Sequence, residues 1–279
     1  MYVINSNGEK EPFSFQKLYR SIRRVGTPPK LAMEIANAIE KEVYSGISTS
    51  DIFKKVKRLI YPRLKRAALR FNLKKGMRKL GPSGFPFEKF IGEIFKKMGF
   101  EVKINQHLPG FCLKDYEIDF IAKKGNLIYV GECKYRNYAG EKVHSKDALV
   151  NYARFLDILK GPYFKTQKYK NFKVKSVLVT NEKFTTSSLV YSKCNNIGLL
   201  GWKYPKNRGL EYLIEEYALY PITILPSLRG PLREIFVSEK MMLVQDVVKI
   251  NPKKFSKIFR VPPKLIFSLT EEAKSLLKI

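Results

Sequence analysis

Two stretches near the middle of the chain carry acidic and basic side chains at alternating positions. Glu117-Ile118-Asp119-Phe120-Ile121, if extended, puts Glu117, Asp119 and Ile121 on one face. Val130-Gly131-Glu132-Cys133-Lys134 likewise puts Glu132 and Lys134 on one face with Val130. Adjacent strands would bring Asp119, Glu132 and Lys134 to one edge of a sheet. Two carboxylates so placed repel, and one takes a proton unless a cation lies between them. Mg²⁺ (or Mn²⁺) suits such a pair, because it binds oxygen from carboxylates, waters and phosphate. The metal polarises a scissile phosphate and acidifies a bound water. A lysine on the same edge can orient that water or offset the charge that develops. Gly131 leaves room for a close backbone approach. The chemistry this pattern supports is phosphodiester hydrolysis. The competing reading makes Glu132 and Lys134 the polar face of a solvated strand.

The elements around these residues are readable from periodicity. Phe87, Phe90, Ile91, Ile94, Phe95 and Met98 recur at helical spacing, and Gly99 ends that helix. Phe100–Ile104 reads as a strand. Residues 116–122 and 127–135 read as two further strands, with Lys124-Gly125-Asn126 as the hairpin between them. Residues 145–159 read as a helix, and 174–180 and 197–202 as strands. The fold class is therefore α/β, a central mixed sheet flanked by helices.

The partner is indicated by charge. The chain has 279 residues, with 53 Lys plus Arg against 25 Asp plus Glu, a net charge of +28. Thermophilic bias raises Glu along with Lys, whereas here the acids are scarce. A field of this sign attracts polyanions, and neutralised phosphates release counterions. Nucleic acid is the expected partner, with DNA, double-stranded or branched, placed ahead of a membrane surface or an RNA-protein scaffold. Cys112, Cys133 and Cys194 form neither a metal-ligand spacing nor an even-numbered disulfide framework. There is no apolar run of signal-peptide or membrane-spanning length, so a cytoplasmic location without membrane contact is expected.

Three parts are expected. Residues 1–80 form a small, mostly helical domain. Tyr2–Ile4 is a strand and Asn7-Gly8 a turn. Helices start near Phe13–Phe15 and Pro28-Pro29. Ser48-Thr49-Ser50-Asp51 caps another helix. Residues 61–80 continue as one basic helix carrying Arg63, Lys65, Arg66, Arg70, Lys74, Lys75, Arg78 and Lys79. The break at Gly81-Pro82-Ser83-Gly84-Phe85-Pro86 opens the second domain, 81–207. Residues 208–279 form a helical third domain, with helices over 213–219, 232–250, 255–259 and 265–277.

Asp119, Glu132-Cys133-Lys134 and the order helix, strand, Asp strand, Glu-x-Lys strand, helix, strand resemble the PD-(D/E)xK nucleases in their restriction-endonuclease-like, Mrr-type form. The resemblance covers about residues 84–205. It implies a metal-dependent nuclease with Asp119 and Glu132 on the metal, Lys134 catalytic, and a glutamate of the first helix completing the site. Glu88 stands at that position, with Glu93 a second candidate. Ile118 replaces the proline of the pattern. Val179–Thr185 and Gly198–Trp202 also match the Mrr-type end of the fold and read as structural. His144 and Lys146 head the following helix, as phosphate contacts or a solvated start, and His107 sits in a loop that could line the cleft.

Residues 2–59 resemble the ATP-cone domain through Val3, Gly8, Glu11, Pro12, Phe13, Lys17, Leu18, Ser21, Ile22 and Ile47–Ile52. This implies ATP as a ligand, with Lys17 on phosphate and Thr49 on the base or capping a helix. Asn5 and Ser6 stand where the family carries a basic pair, so a cone that keeps the fold without ATP is the alternative. Residues 210–279 loosely resemble helix-hairpin-helix modules, with Arg260-Val261-Pro262-Pro263 at the turn. Lys253, Lys254, Lys257, Arg260 and Lys264 would meet phosphates, and a dimerisation or packing element is the alternative. The expected activity is a DNA endonuclease, structure-specific or nucleotide-regulated. Its rivals are a non-cleaving, ATP-responsive DNA-binding regulator and a Holliday-junction-type resolvase acting as a homodimer.

Overall fold

The computed structural model describes residues 1–81 and 84–278, so Pro82 and Ser83 of the expected break lie outside the described residues. The chain forms two compact units. One holds Met1–Met77 together with the stretch from Ile222 onward, and the other holds Arg78–Pro221.

The first unit begins with β1 (Tyr2–Ile4), β2 (Lys10–Pro12), α1 (Phe15–Arg24), α2 (Pro29–Glu40), β3 (Ile47–Ser48) and α3 (Thr49–Ile60). The three strands are ordered β2-β1-β3. Ser14 and Ser48 accept from the backbone N–H of Lys17 and Asp51, so each helix opens on a satisfied donor. Leu18, Ile22, Ile35, Ile39, Val56 and Ile60 meet in one buried core. The basic helix expected over 61–80 is instead two short helices, α4 (Lys65–Arg70) and α5 (Leu73–Met77). Leu64, at φ −148° and ψ 75°, interrupts the turn after Pro62, a residue with no N–H to donate. Ala67, Ala68, Leu69, Leu73 and Met77 are buried, so this segment packs as well as presenting charge.

The second unit holds the sheet. α6 (Phe85–Lys97) buries Phe87, Phe90, Ile91, Ile94 and Phe95. Then come β4 (Glu101–Leu108), β5 (Tyr116–Lys124), β6 (Leu127–Lys134), β7 (Lys142–Val143), α7 (Ser145–Lys160), β8 (Lys173–Thr180), β9 (Lys183–Phe184), α8 (Thr186–Cys194), β10 (Gly198–Leu200) and α9 (Leu210–Glu216). The five-stranded sheet runs β10-β8-β6-β5-β4. β4, β5 and β6 are antiparallel neighbours, while β6, β8 and β10 are parallel, joined through α7 and α8. The sheet is thus mixed and flanked by helices. The Phe95 ring lies 4.9 Å from that of Phe120 on one face. Phe155 and Ile158 of α7 pack with Ile121, Ile128 and Val130 on the other.

The remaining helices are α10 (Pro231–Ser238), α11 (Val244–Val248), α12 (Pro252–Phe259) and α13 (Pro263–Leu277). They join the first unit rather than forming the separate 208–279 domain expected, and α9 stays with the sheet. The helix expected over 232–250 is split. Lys240 takes a left-handed φ of +57°, and Asp246 then caps α11 by accepting from Met242 and Leu243 N–H. No Gly or Pro announces that stop. At the α12–α13 turn Arg260 itself adopts the left-handed conformation, φ +52°, that glycine more often supplies.

Candidate active site

Asp119 and Glu132 lie where β5 and β6 stop pairing. The ladder is regular from Lys124↔Leu127 to Phe120↔Gly131. Beyond it, Asp119 Oδ2 accepts from Cys133 N–H at 2.6 Å, a side chain replacing the backbone partner. On the other side, Ile104↔Phe120 and Gln106↔Ile118 bracket Asn105, which takes φ +50°. Asparagine tolerates that region better than most residues. Asp119 is therefore flanked by irregular backbone on both neighbouring strands.

Gly131 is demanded by a ring. A Cβ there would sit 2.2–2.5 Å from Phe120 ring atoms. The close approach read from the sequence exists, with an aromatic side chain as the visitor.

Glu132 is 6% exposed and both its oxygens are used. Lys134 Nζ donates to Oε1 at 2.5 Å, and Arg154 Nη1 donates to Oε2 at 2.7 Å. Burial and then the charge of Glu132 push the Asp119 carboxyl up to about 6, against the opposing pull of the Cys133 N–H, Lys134 and Arg154. Glu88, in the first turn of α6, is pushed to about 7 by burial and then by Asp119, Glu117 and Glu132. Glu88, Asp119, Glu132 and Lys134 thus converge. A cleft of about 610 Å³ opens beside them, lined by Asp115, Tyr116, Glu117, Asp119, Glu132, Val150, Ala153 and Arg154.

The donor chemistry fits a hard divalent cation: carboxylates from α6, β5 and β6 that raise one another's proton affinity. Among the described residues, however, no three His, Cys, Asp or Glu side chains stand at ligand spacing. The oxygens are shared out among Lys134, Arg154 and the Cys133 N–H. A cation seated by Glu132 would share those oxygens with Lys134 and Arg154 or displace one of them.

The other sequence candidates are dispersed. Glu93 pairs with Lys96 at 2.7 Å on the outer side of α6. His107 is on β4 rather than in a loop, paired in register with Glu117, and its Nδ1 lies 3.0 Å from the Asp115 carboxylate. His144 and Lys146 do head α7, where Asp147 accepts from the His144 N–H at 2.9 Å. In the first unit Lys17 Nζ lies 3.5 Å from Glu11. Thr49 is the first residue of α3, whose cap is Ser48. The Val179–Thr185 stretch fastens the exit of β6. Thr180 Oγ1 donates to the Lys134 carbonyl at 2.7 Å, and the Asn181 amide bonds both the N–H and the carbonyl of Arg136 at 2.8 Å.

Arg154 is the site residue that the sequence reading missed. The buried stripe of α7, Ala148, Asn151, Phe155 and Ile158, places it on the flank of a core-facing helix. The strand that this flank meets is not written in the helix.

Comparison with known proteins places the chain. Residues 1–71 match the ATP cone domain model and residues 220–277 the AF1548-like, C-terminal model. An uncharacterized protein of Archaeoglobus fulgidus is 35% identical over 171 residues, which is 60% of this chain and 89% of that protein. The chain belongs to the AF1548-like family. The crystal structure of AF1548, a protein of unknown function, matches with TM-score 0.57 and 30% identity over 70% of this chain and 99% of that one. This AF1548-like chain thus carries an ATP-cone domain at its N-terminus. MspJI restriction endonuclease in complex with a 27-mer oligonucleotide aligns at TM-score 0.34 and 12% identity, over 68% of this chain and 40% of that one. A likeness that low carries no weight for fold or activity. Among the described residues no helix is long and apolar enough to cross a membrane.

Proposed function

We propose that this protein is a divalent-metal-dependent DNA endonuclease that hydrolyses phosphodiester bonds, structure-specific or nucleotide-regulated. The observation that carries this is the meeting of Asp119, Glu132 and Lys134 at the frayed end of the β5–β6 ladder, with Glu88 alongside and a cleft in front. Asp119, Glu132 and Glu88 would hold Mg²⁺ or Mn²⁺. When bound, such an ion polarises a phosphate oxygen and lowers the pKa of water. Lys134 orients the attacking water or offsets charge on the phosphate. The net charge of +28 draws the nucleic acid in. Lys17 and Thr49 would meet ATP in the cone, and a homodimer would suit a branched substrate.

Cleavage of linear, nicked, branched and single-stranded DNA, in Mg²⁺, Mn²⁺ or EDTA and with or without ATP, tests this. Asp119→Ala and Glu132→Ala should each abolish metal-dependent cutting and leave DNA binding intact. Full activity in either variant overturns the assignment. One observation favours a second reading, a DNA-binding regulator that does not cut: both Glu132 oxygens are already neutralised by Lys134 and Arg154. Binding without cutting in every metal would establish that reading instead.

A further inference from the structure

A phosphodiester entering the cleft beside Asp119 meets acidic walls. Asp115, Glu117, Asp119 and Glu132 line it, and among the described residues the one cation of that lining is Arg154. Lys134 is committed to the other oxygen of Glu132. Arg154 stands on the flank of α7, with Val150 one turn before it and Ala153 beside it, both short and both on the same wall. The roll of α7 is set from the core side, where Asn151 Nδ2 donates to Ser176 Oγ at 2.8 Å. The guanidinium is then fixed from one end: Nη1 donates to Glu132 Oε2 at 2.7 Å and to the Glu117 carbonyl at 3.3 Å. Arginine carries five N–H donors in one rigid plane. Among the described residues, neither Nε nor Nη2 of Arg154 has a hydrogen-bond partner. Those two N–H groups lie on one edge and form the fork that takes two oxygens of a single phosphate. The side chain is a quarter exposed, so a ligand in the cleft reaches it.

We infer that Arg154 is the phosphate-binding residue of this cleft, with Nη1 kept on Glu132 and the Nε–Nη2 edge taking a phosphate of the entering strand. Glu132 orients the guanidinium before the strand arrives, so little freedom is lost on binding. The consequence is positional: one planar group joins Glu132 to the phosphate and sets that phosphate next to the Asp119–Glu132 pair. A lysine could supply the charge but not the second edge. The contact reads no base. It rests on the reading that DNA is the partner, and it holds whether or not the strand is then cut.

The test uses the full chain in EDTA, which separates binding from cutting. With arginine as the only nitrogen-15-labelled residue, the Nε–H resonance of Arg154 is assigned by its absence from Arg154→Lys. Adding a 30-base-pair duplex should move that resonance and protect its proton from exchange with water, because Nε–H takes a phosphate oxygen. Binding of the same duplex, fluorescently labelled, is followed by anisotropy at fixed salt. Arg154→Lys keeps the net charge and gives up the fork, so it should bind about tenfold more weakly than wild type. Lys30→Arg, a charge-conserving exchange at an exposed position of α2, should bind as wild type does. A wild type that binds the duplex with an unmoved Arg154 Nε–H resonance overturns this inference alone, and so does Arg154→Lys binding as tightly as wild type. No binding by the wild type overturns it together with the DNA reading.

Discussion

Arg154 offers the sharpest check on the active-site geometry. It holds Glu132 Oε2 at 2.7 Å, on a carboxylate that is 6% exposed and keeps Lys134 on its other oxygen. If a cation is to be seated by Glu132, Arg154 is its competitor. Removing the guanidinium in Arg154→Ala costs the metal-free protein a charged hydrogen bond, ~1.5–3 kcal/mol for a well-formed one. The arginine is itself a quarter exposed and one partner remains, so the lower part of that range applies. At ~2–4 °C per kcal/mol for a domain of this size, the melting temperature in EDTA should fall by about 3–8 °C. Saturating Mg²⁺ stabilises whatever binds it, by about 1.4 kcal/mol at ten times the dissociation constant. That increment should be larger in Arg154→Ala than in wild type, because the ion no longer displaces a resident cation. Differential scanning fluorimetry over a Mg²⁺ series measures both quantities. Equal Mg²⁺ increments in the two proteins would refute the competition, and an unchanged melting temperature in EDTA would refute the ion pair's contribution.

Other expectations follow from single contacts. Gly131→Ala drives a methyl into the Phe120 ring and should cost ~1–3 kcal/mol by denaturant melts; Phe120→Leu in the same chain should recover at least part of it, and strict additivity would contradict the packing. Asp157 bonds the Cys112 and Leu113 N–H groups, and its hydrogen bond to the Cys112 thiol and its charge hold that thiol above the ordinary cysteine range. Asp157→Asn should therefore shift the onset of Cys112 alkylation to lower pH in peptide-resolved mass spectrometry, and an unmoved profile would dismiss the coupling. Ser48→Ala removes the cap of α3 and should cost ~0.5–2 kcal/mol by urea melts, with no change in DNA cleavage.

Much of this molecule is written locally in the chain. Strand alternation puts Asp119, Glu132 and Lys134 at one sheet edge, and the β5–β6 ladder ends at Phe120↔Gly131, next to Asp119 and Glu132. The apolar stripe from Phe87 to Phe95 specified α6, and Ser48 specified the start of α3, because caps and periodicity act within a turn or two. Composition fixed the sign of the field. Elements without a local signal were misread. Lys240 stops a helix with neither Gly nor Pro, and α4 and α5 break where buried Ala67, Leu69, Leu73 and Met77 find their own contacts.

Tertiary structure alone decided two matters. It gave Glu132 a second cation from α7, since the partner of a helix flank depends on which strand the crossover brings beneath it. It returned the C-terminal stretch to the first unit, where Thr223 Oγ1 meets the Gly76 carbonyl across 147 positions of sequence. The sequence by itself determined the residue types and spacing of the candidate chemistry. Which charges those residues meet was settled by long-range packing, which no local pattern encodes.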